Sequence, residues 1–244
     1  MELVEELIAR GVPKVEAFKE VSKERGIPWS TLATWYYGKS RPVFKKELKP
    51  SPELAYLIGV YLSDGNVYFD GKGHYDFRLK VKDLDFAQET KRCLEAIGLG
   101  ASVLKWNDFF WLRCTSKGLY KLLRSIAEKG TKGDAGIREI YWEKLEEYVE
   151  VDEETIRSFL RGLFDGDGSS NRLFNTHLPL LLYAKDLLGR LGVRTGKVRL
   201  VSRKGTVNFI EGRLIAKKKN CYSLRVNKKD FLAKVGFSIR RKAA

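Results

Sequence analysis

Two segments of this 244-residue chain close in the same way, an apolar run followed by an acid and a glycine. They are Leu54–Gly65 (LAYLIGVYLSDG) and Phe159–Gly168 (FLRGLFDGDG). The first is apolar almost all round, so as a helix it must be buried. Gly59 and Ser63, and in the second copy Gly162 and Gly166, are four apart and share a helix face. Small residues at that spacing let two backbones approach closely, so the two helices are expected to pack along these faces. Asp64 and Asp167 then fall at helix ends whose unpaired carbonyls already carry partial negative charge. A lone acid of this kind would be a solvated turn residue. Two, brought together by packing, form an oxygen-rich cluster that calls for a hard cation, Mg²⁺ or Mn²⁺. Gly65 and Gly168 are expected to be left-handed helix stops.

The elements that must position these acids repeat as well. After each motif comes a basic alternating stretch, then an amphipathic helix ending in glycine (AQETKRCLEAIGL and YAKDLLGRLGV). Further on, WLRCTSKGLYKLL (Trp111–Leu123) matches SLRVNKKDFLAKV (Ser223–Val235), which pairs Arg113 with Arg225. Each unit reads helix–strand–strand–helix–strand–strand–helix, and the second carries a longer hairpin, RKGTVNFIEGRLIAKKKN. The predicted fold is α+β, a pseudo-two-fold pair of αββαββα units with antiparallel sheets. The expected boundaries are 1–50, 51–150 and 151–244.

The first fifty residues differ in pattern. Val15, Phe18 and Val21 have helical spacing, Gly26-Ile27-Pro28 breaks it, and LATWYYG predicts a second short helix with Ser30 as N-cap and Gly38 as stop. A helix, a tight glycine turn and a short helix suggest a helix-turn-helix-like extension. Lys39, Arg41, Lys45, Lys46 and Lys49, with Pro42 and Pro50, read as a basic linker.

Charge narrows the partner. The net charge is +15, and Arg194–Ala244 holds 16 Lys and Arg against Glu211 and Asp230, while Glu139–Glu154 holds eight acids and one lysine. Segregated charge indicates a face for a polyanion and a face kept away from it. At 43% hydrophobic and 12% aromatic, the chain is too apolar for a disordered basic tail. No apolar run approaches the roughly 18 residues of a membrane span, and MELVEELIAR is no secretory signal. Three scattered cysteines and two histidines exclude a disulfide framework, a CxxC zinc site and a His-based metal centre. The expected setting is cytoplasmic and nucleoid-associated in a prokaryotic host, and the sparse Met and Gln would suit a thermophile.

The two motifs resemble the paired motifs of the LAGLIDADG homing endonucleases in their single-chain form. The second copy, Leu160–Gly168, matches closely. The first has Leu62 where the second has Asp165, which assigns Asp165 a structural or tuning role. The resemblance runs from Ser51 to the C-terminus. It implies that the motif helices form the interface between the halves. Asp64 and Asp167 would bind divalent metal, with the carbonyls of Ser63 and Gly166 as further ligands. Each half would lay its sheet in the major groove of double-stranded DNA, and cleavage would leave short 3′ overhangs. In the family a lysine from each half often supports the scissile phosphates. Lys242 resembles one of these, and Arg138 (in GIREIYW) or Lys82 the other.

The strands suit that partner. Arg78, Lys80 and Lys82 alternate with Phe77, Leu79 and Val81. Arg113 and Thr115 share a parity, as do Lys197, Arg199 and Arg203, and likewise Arg225 and Asn227. Lys105, Lys204, Lys217 and Lys218 add cations near the strands and on the long hairpin. Arg can read guanine and Asn adenine, while Lys mostly meets phosphate. An exposed sheet with solubilising charges remains the alternative for any single residue. The expected protein is a monomeric, Mg²⁺-dependent DNA endonuclease, intron-encoded because no intein flanks are visible. The rivals are an RNA maturase, which could dispense with Asp64 or Asp167, and a non-catalytic DNA-binding regulator.

Overall fold

Gly11, Gly26 and Pro28 punctuate the N-terminal unit of the computed structural model, which describes residues 2–38, 47–130, 136–210 and 213–243. Three helices result: α1 (Glu2–Ala9), α2 (Lys14–Arg25) and α3 (Trp29–Tyr36). Gly26 takes φ 65°, which lets the chain reverse between α2 and α3. Val4, Phe18, Val21 and Leu32 form a small core of their own. The expected apolar stripe keeps Phe18 and Val21 but loses Val15, which is exposed, and Ala17 is buried instead. Ser30 is no N-cap: α3 starts after Pro28 without a side-chain cap, and Ser30 O accepts from Thr34 Oγ1. Of the expected linker, Lys39, Arg41, Pro42, Lys45 and Lys46 lie outside the described residues.

Met1–Lys46 and Glu47–Ala244 are separate compact units, and both repeats belong to the second. The first repeat runs α4 (Pro52–Leu62), β1 (Asn66–Phe69), β2 (Tyr75–Val81), α5 (Leu84–Ala96), β3 (Ser102–Trp106), β4 (Phe109–Thr115) and α6 (Lys117–Ile126). A hairpin, β5 (Ala127–Lys129) and β6 (Ile137–Ile140), and α7 (Trp142–Val149) lead to the second repeat. There follow α8 (Glu153–Asp167), β7 (Gly168–Ser169), β8 (Arg172–Asn175), α9 (Leu178–Arg190) and β9 (Arg199–Ser202). The inserted hairpin is β10 (Val207–Ile210) and β11 (Arg213–Ala216), and β12 (Cys221–Arg225), α10 (Lys228–Lys234) and α11 (Arg240–Ala243) complete the chain.

The two sheets have the same order, β1-β2-β4-β3 and β7-β8-β12-β9, with antiparallel neighbours throughout. Both motif helices begin on firm caps. Ser51 Oγ accepts from Leu54 N–H with Pro52 in the first turn, and Asp152 and Thr155 form a reciprocal capping box. Phe77, Leu79, Val81, Leu112 and Cys114 point inward and are buried, so alternate residues of β2 and β4 face outward. One hydrophobic core spans both repeats. Among the described residues no helix is long and apolar enough to cross a membrane.

Candidate metal centre and nucleic-acid interface

The α4–α8 crossing brings backbone against backbone. A methyl at Gly59 would stand 2.7 Å from Leu163 N and overlap Phe159 O. One at Gly162 would overlap Tyr56 O, and one at Gly166 would stand 2.5 Å from Ser63 Cβ. Only glycine permits this approach. Gly65 and Gly168 correct the sequence expectation. Neither is left-handed, and Gly168 is extended at φ −92°. Their side chains are forbidden by the returning chain: a Cβ at Gly65 would lie 2.9 Å from Val60 O, and one at Gly168 2.9 Å from Phe164 Cα.

Each motif helix ends on a lysine ammonium. Lys129 Nζ, at the end of β5, donates to Tyr61 O (2.8 Å), Ser63 O (2.7 Å) and Gly65 O (2.8 Å). Lys242 Nζ, on α11, donates to Phe164 O (3.2 Å), Asp165 O (2.5 Å) and Gly166 O (3.3 Å). The lysines offset the negative ends of the helices that carry the acids. Burial pulls Lys129 down to about 8, against the opposing pull of Asp167 and Asp64. Burial likewise lowers Lys242.

Asp167 feels the Asp64 charge. Burial pushes Asp167 up to about 7, and the Asp64 charge adds to the rise. Asp64, which keeps solvent contact, is raised by burial against Lys129 and Lys242. Asn175 Nδ2 donates to Asp167 Oδ2 at 2.6 Å and fixes its orientation. A cavity of about 350 Å³ opens beside Asp167, lined by Ser63, Lys129, Asn175, Thr176 and Cys221 among others. A larger cavity, about 890 Å³, is lined by Arg92, Arg157 and Arg161 and includes neither acid. Among the described residues no three His, Cys, Asp or Glu side chains cluster as a metal cage. Two carboxylates with carbonyls suit Mg²⁺, which keeps waters and shares substrate phosphates. Ser63 O and Gly166 O accept from the lysines, and a carbonyl has a second lone pair for a cation.

Lys129 stands at the end of α4, while Arg138, the expected first-half counterpart of Lys242, is exposed on β6. The β5–β6 hairpin carries residue 129 back to the motif. Lys82 lies just past β2 with Nζ 5.5 Å from the Phe109 ring. The C-terminal segment that brings Lys242 is pinned at three points. Asp165 accepts from Ser238 N–H (3.0 Å) and from Tyr56 OH (2.8 Å) across the helix pair. Asp85 accepts from Arg240 N–H (2.7 Å), and Asp83 pairs with the Arg241 guanidinium (2.7 Å). Burial raises Asp165 to about 6. It acts here as a brace. His177 is the N-cap of α9, accepting from Leu180 N–H.

On the first sheet, Arg78 faces Arg113 and Asp76 faces Thr115. Arg78 Nη2 and Arg113 Nε reach Asp76 Oδ2 at 2.6 and 3.0 Å, and Thr115 Oγ1 donates to Asp76 Oδ1 at 2.8 Å. Burial works to raise the Asp76 carboxyl, but these donors outweigh it and hold it low. Asp76 was not legible as a site residue. On the second sheet Arg225 faces Arg172, another residue the sequence left unmarked. By register Ser170 falls where Asp76 would stand, and among the described residues no acid pairs with Arg172 or Arg225. Arg199 is exposed opposite Ser223. Lys197, Arg203, Lys204 and Lys218 are exposed around β9 and the β10–β11 hairpin, and Lys217 is half-buried.

Two of the expected DNA-contact residues are placed otherwise. Asn227 Oδ1 accepts from Asp230 N–H as the N-cap of α10. Lys105 faces Phe110, so it has the parity of the buried side chains and leaves the Arg113 face. Thr115 keeps the outer face but gives its hydroxyl to Asp76.

A family model described as "LAGLIDADG-like domain" matches residues 51–127 and 154–236. Uncharacterized protein MJ0398 of Methanocaldococcus jannaschii is 35% identical over 240 residues, spanning 91% of this chain and 82% of that one. Uncharacterized protein MJ0314 of the same organism is 34% identical over 134 residues, 51% of this chain and 44% of that one. The fold is that of I-DmoI in complex with DNA and Ca, with a TM-score of 0.54 at 19% identity over 79% of this chain and 95% of that one. A single-residue variant of I-DmoI with its target DNA and Mn gives a TM-score of 0.52 at 18% identity over 76% and 93%.

Proposed function

The chain belongs to the LAGLIDADG-like family, and from that premise we propose that it is a site-specific double-stranded DNA endonuclease. The observation that carries the proposal is the pair Asp64 and Asp167 at the ends of the tightly crossed α4 and α8, with Lys129 and Lys242 on the carbonyls of the same helix ends. The likeness to I-DmoI, solved with DNA and with Mn or Ca, supports both partner and metal class.

Asp64 and Asp167 would hold Mg²⁺ or Mn²⁺, with Ser63 O and Gly166 O as additional oxygens. A divalent cation there supplies activation of the attacking water and stabilisation of the departing oxygen. Asn175 keeps the Asp167 carboxylate aimed at the site. Lys129 and Lys242 bring positive charge to where the two scissile phosphates would rest. Arg78, Lys80, Arg113, Arg172, Arg199 and Arg225 on the outer sheet faces would meet the grooves on either side. A single chain with two motif copies acts as a monomer on an asymmetric site and leaves short 3′ overhangs. An intron-encoded product acting on DNA inside a prokaryotic cell fits this activity.

Retention of both acids favours this reading over an RNA maturase or an idle regulator. The test is cleavage of a randomised duplex library in Mg²⁺ or Mn²⁺ by the wild type, Asp64→Asn and Asp167→Asn. The expected outcome is defined double-strand breaks with wild type only. Absence of cutting, or equal cutting by the variants, defeats the proposal.

A further inference from the structure

The outer face of the first sheet carries apolar residues that metal binding and phosphate contact leave unexplained. Lys80 faces Trp111, Trp111 faces Leu104, and Phe109 faces Trp106. Leu104 and Trp106 are each 68% exposed and Trp111 is 41% exposed. The two indole rings lie 6.3 Å apart. Lys80 Nζ sits 4.3 Å from the Phe109 ring and 4.8 Å from that of Trp111. Alternation along β4 puts this patch on the face that bears Arg78 and Arg113.

Contiguous exposed apolar surface on a monomer marks an interaction site. Its cations fit a polyanion, and they are held on the rings with their outer sides free to meet phosphate. Among the bases, thymine alone offers an apolar group in the major groove, its 5-methyl. The matching row of the second sheet, Phe174, Ser223 and Arg199, ends in a guanidinium where the first ends in Leu104. The two halves thus present different chemistry at the same level.

We propose that Leu104, Trp106 and Trp111 read thymine 5-methyl groups in the major groove of one half of the target, with Lys80 and Lys82 on the flanking phosphates. This rests on the duplex-DNA reading above and names the base class one half prefers.

Duplexes selected from a randomised library by the full chain in Ca²⁺ are resynthesised with deoxyuridine for thymidine, one half at a time. The exchange removes only the methyl groups. Binding should weaken about four-fold per contacted methyl, from about 0.8 kcal/mol per buried methyl-sized group, and in one half only. Leu104→Ala and Trp106→Ala should weaken binding to the thymidine duplex and erase its advantage over the deoxyuridine duplex. Indifference to deoxyuridine in both halves overturns the inference, as does a thymidine preference that survives both substitutions. Tighter binding to single-stranded RNA than to any duplex also overturns it, by assigning the rings to unpaired bases. Failure to bind any duplex would instead sink the DNA reading itself.

Discussion

Gly59→Ala is the sharpest test of the helix crossing that brings the two acids together. The new methyl would lie 2.7 Å from Leu163 N and overlap Phe159 O. Carbon contacts to a backbone N or O start at about 3.3 Å, so Leu163 N alone requires the helices to part by roughly 0.6 Å, and the overlap with Phe159 O requires more. Overpacking of this kind costs about 1–3 kcal/mol, occasionally more. The better helix propensity of alanine returns up to about 1 kcal/mol. A net loss of about 1–2 kcal/mol lowers Tm by roughly 2–8 °C at this chain length. Gly162→Ala should behave alike. The double variant should cost less than the sum, because one separation accommodates both methyls. Gly189→Ala, in α9 with open space around it, should instead raise stability by about 0.5–1 kcal/mol. Thermal unfolding of the four variants decides the matter. Cleavage should fall further than stability, because the separation moves Asp64 from Asp167 and small misplacements of reacting groups are costly. If Gly59→Ala raises Tm as Gly189→Ala does, the close crossing is refuted.

Without divalent metal, stability should fall as pH rises from about 4 to about 7, because folded Asp167 keeps a proton that the unfolded chain has released. Between about 8 and about 10.5 it should rise again, because folded Lys129 has lost a proton the unfolded chain still holds. Urea titrations in chelator should trace this profile, and millimolar Mg²⁺ or Asp167→Asn should flatten the falling limb. Lys129→Met should lower single-turnover cleavage by about 10²-fold or more while duplex binding in Ca²⁺ persists. Arg138→Met should leave the cleavage rate near wild type. Asp76→Asn frees Arg78 and Arg113, so the slope of log affinity against log salt should steepen by about one. Discrimination at the contacted base pair should drop in a substitution scan of the target.

Much of the architecture was legible because it rests on local pattern. An apolar helix face with small residues four apart marks a buried, closely packed contact, and α4 and α8 meet along such faces. Alternation along β2 separated Phe77, Leu79 and Val81 from Arg78 and Lys80, because strand period is intrinsic to the backbone. The matching segments around Arg113 and Arg225 revealed two halves that share strand order.

The remainder depends on contacts between residues far apart in sequence. Lys129 has no local signature; it reaches α4 only because the β5–β6 hairpin folds back after α6. Asp76 becomes a site residue only once register sets it beside Thr115 and between Arg78 and Arg113. The face that Lys105 takes was not legible, because a lone lysine near a strand end does not reveal its parity until β3 pairs with β4. Gly65 and Gly168 looked like left-handed stops, yet what excludes a side chain there is the chain packing back on its own helix. Residue types and periodicity by themselves determined the elements, the repeat and the acid pair. Tertiary structure alone decided which cations stand with those acids, since that choice follows from strand register and backbone approach, and neither is a local property.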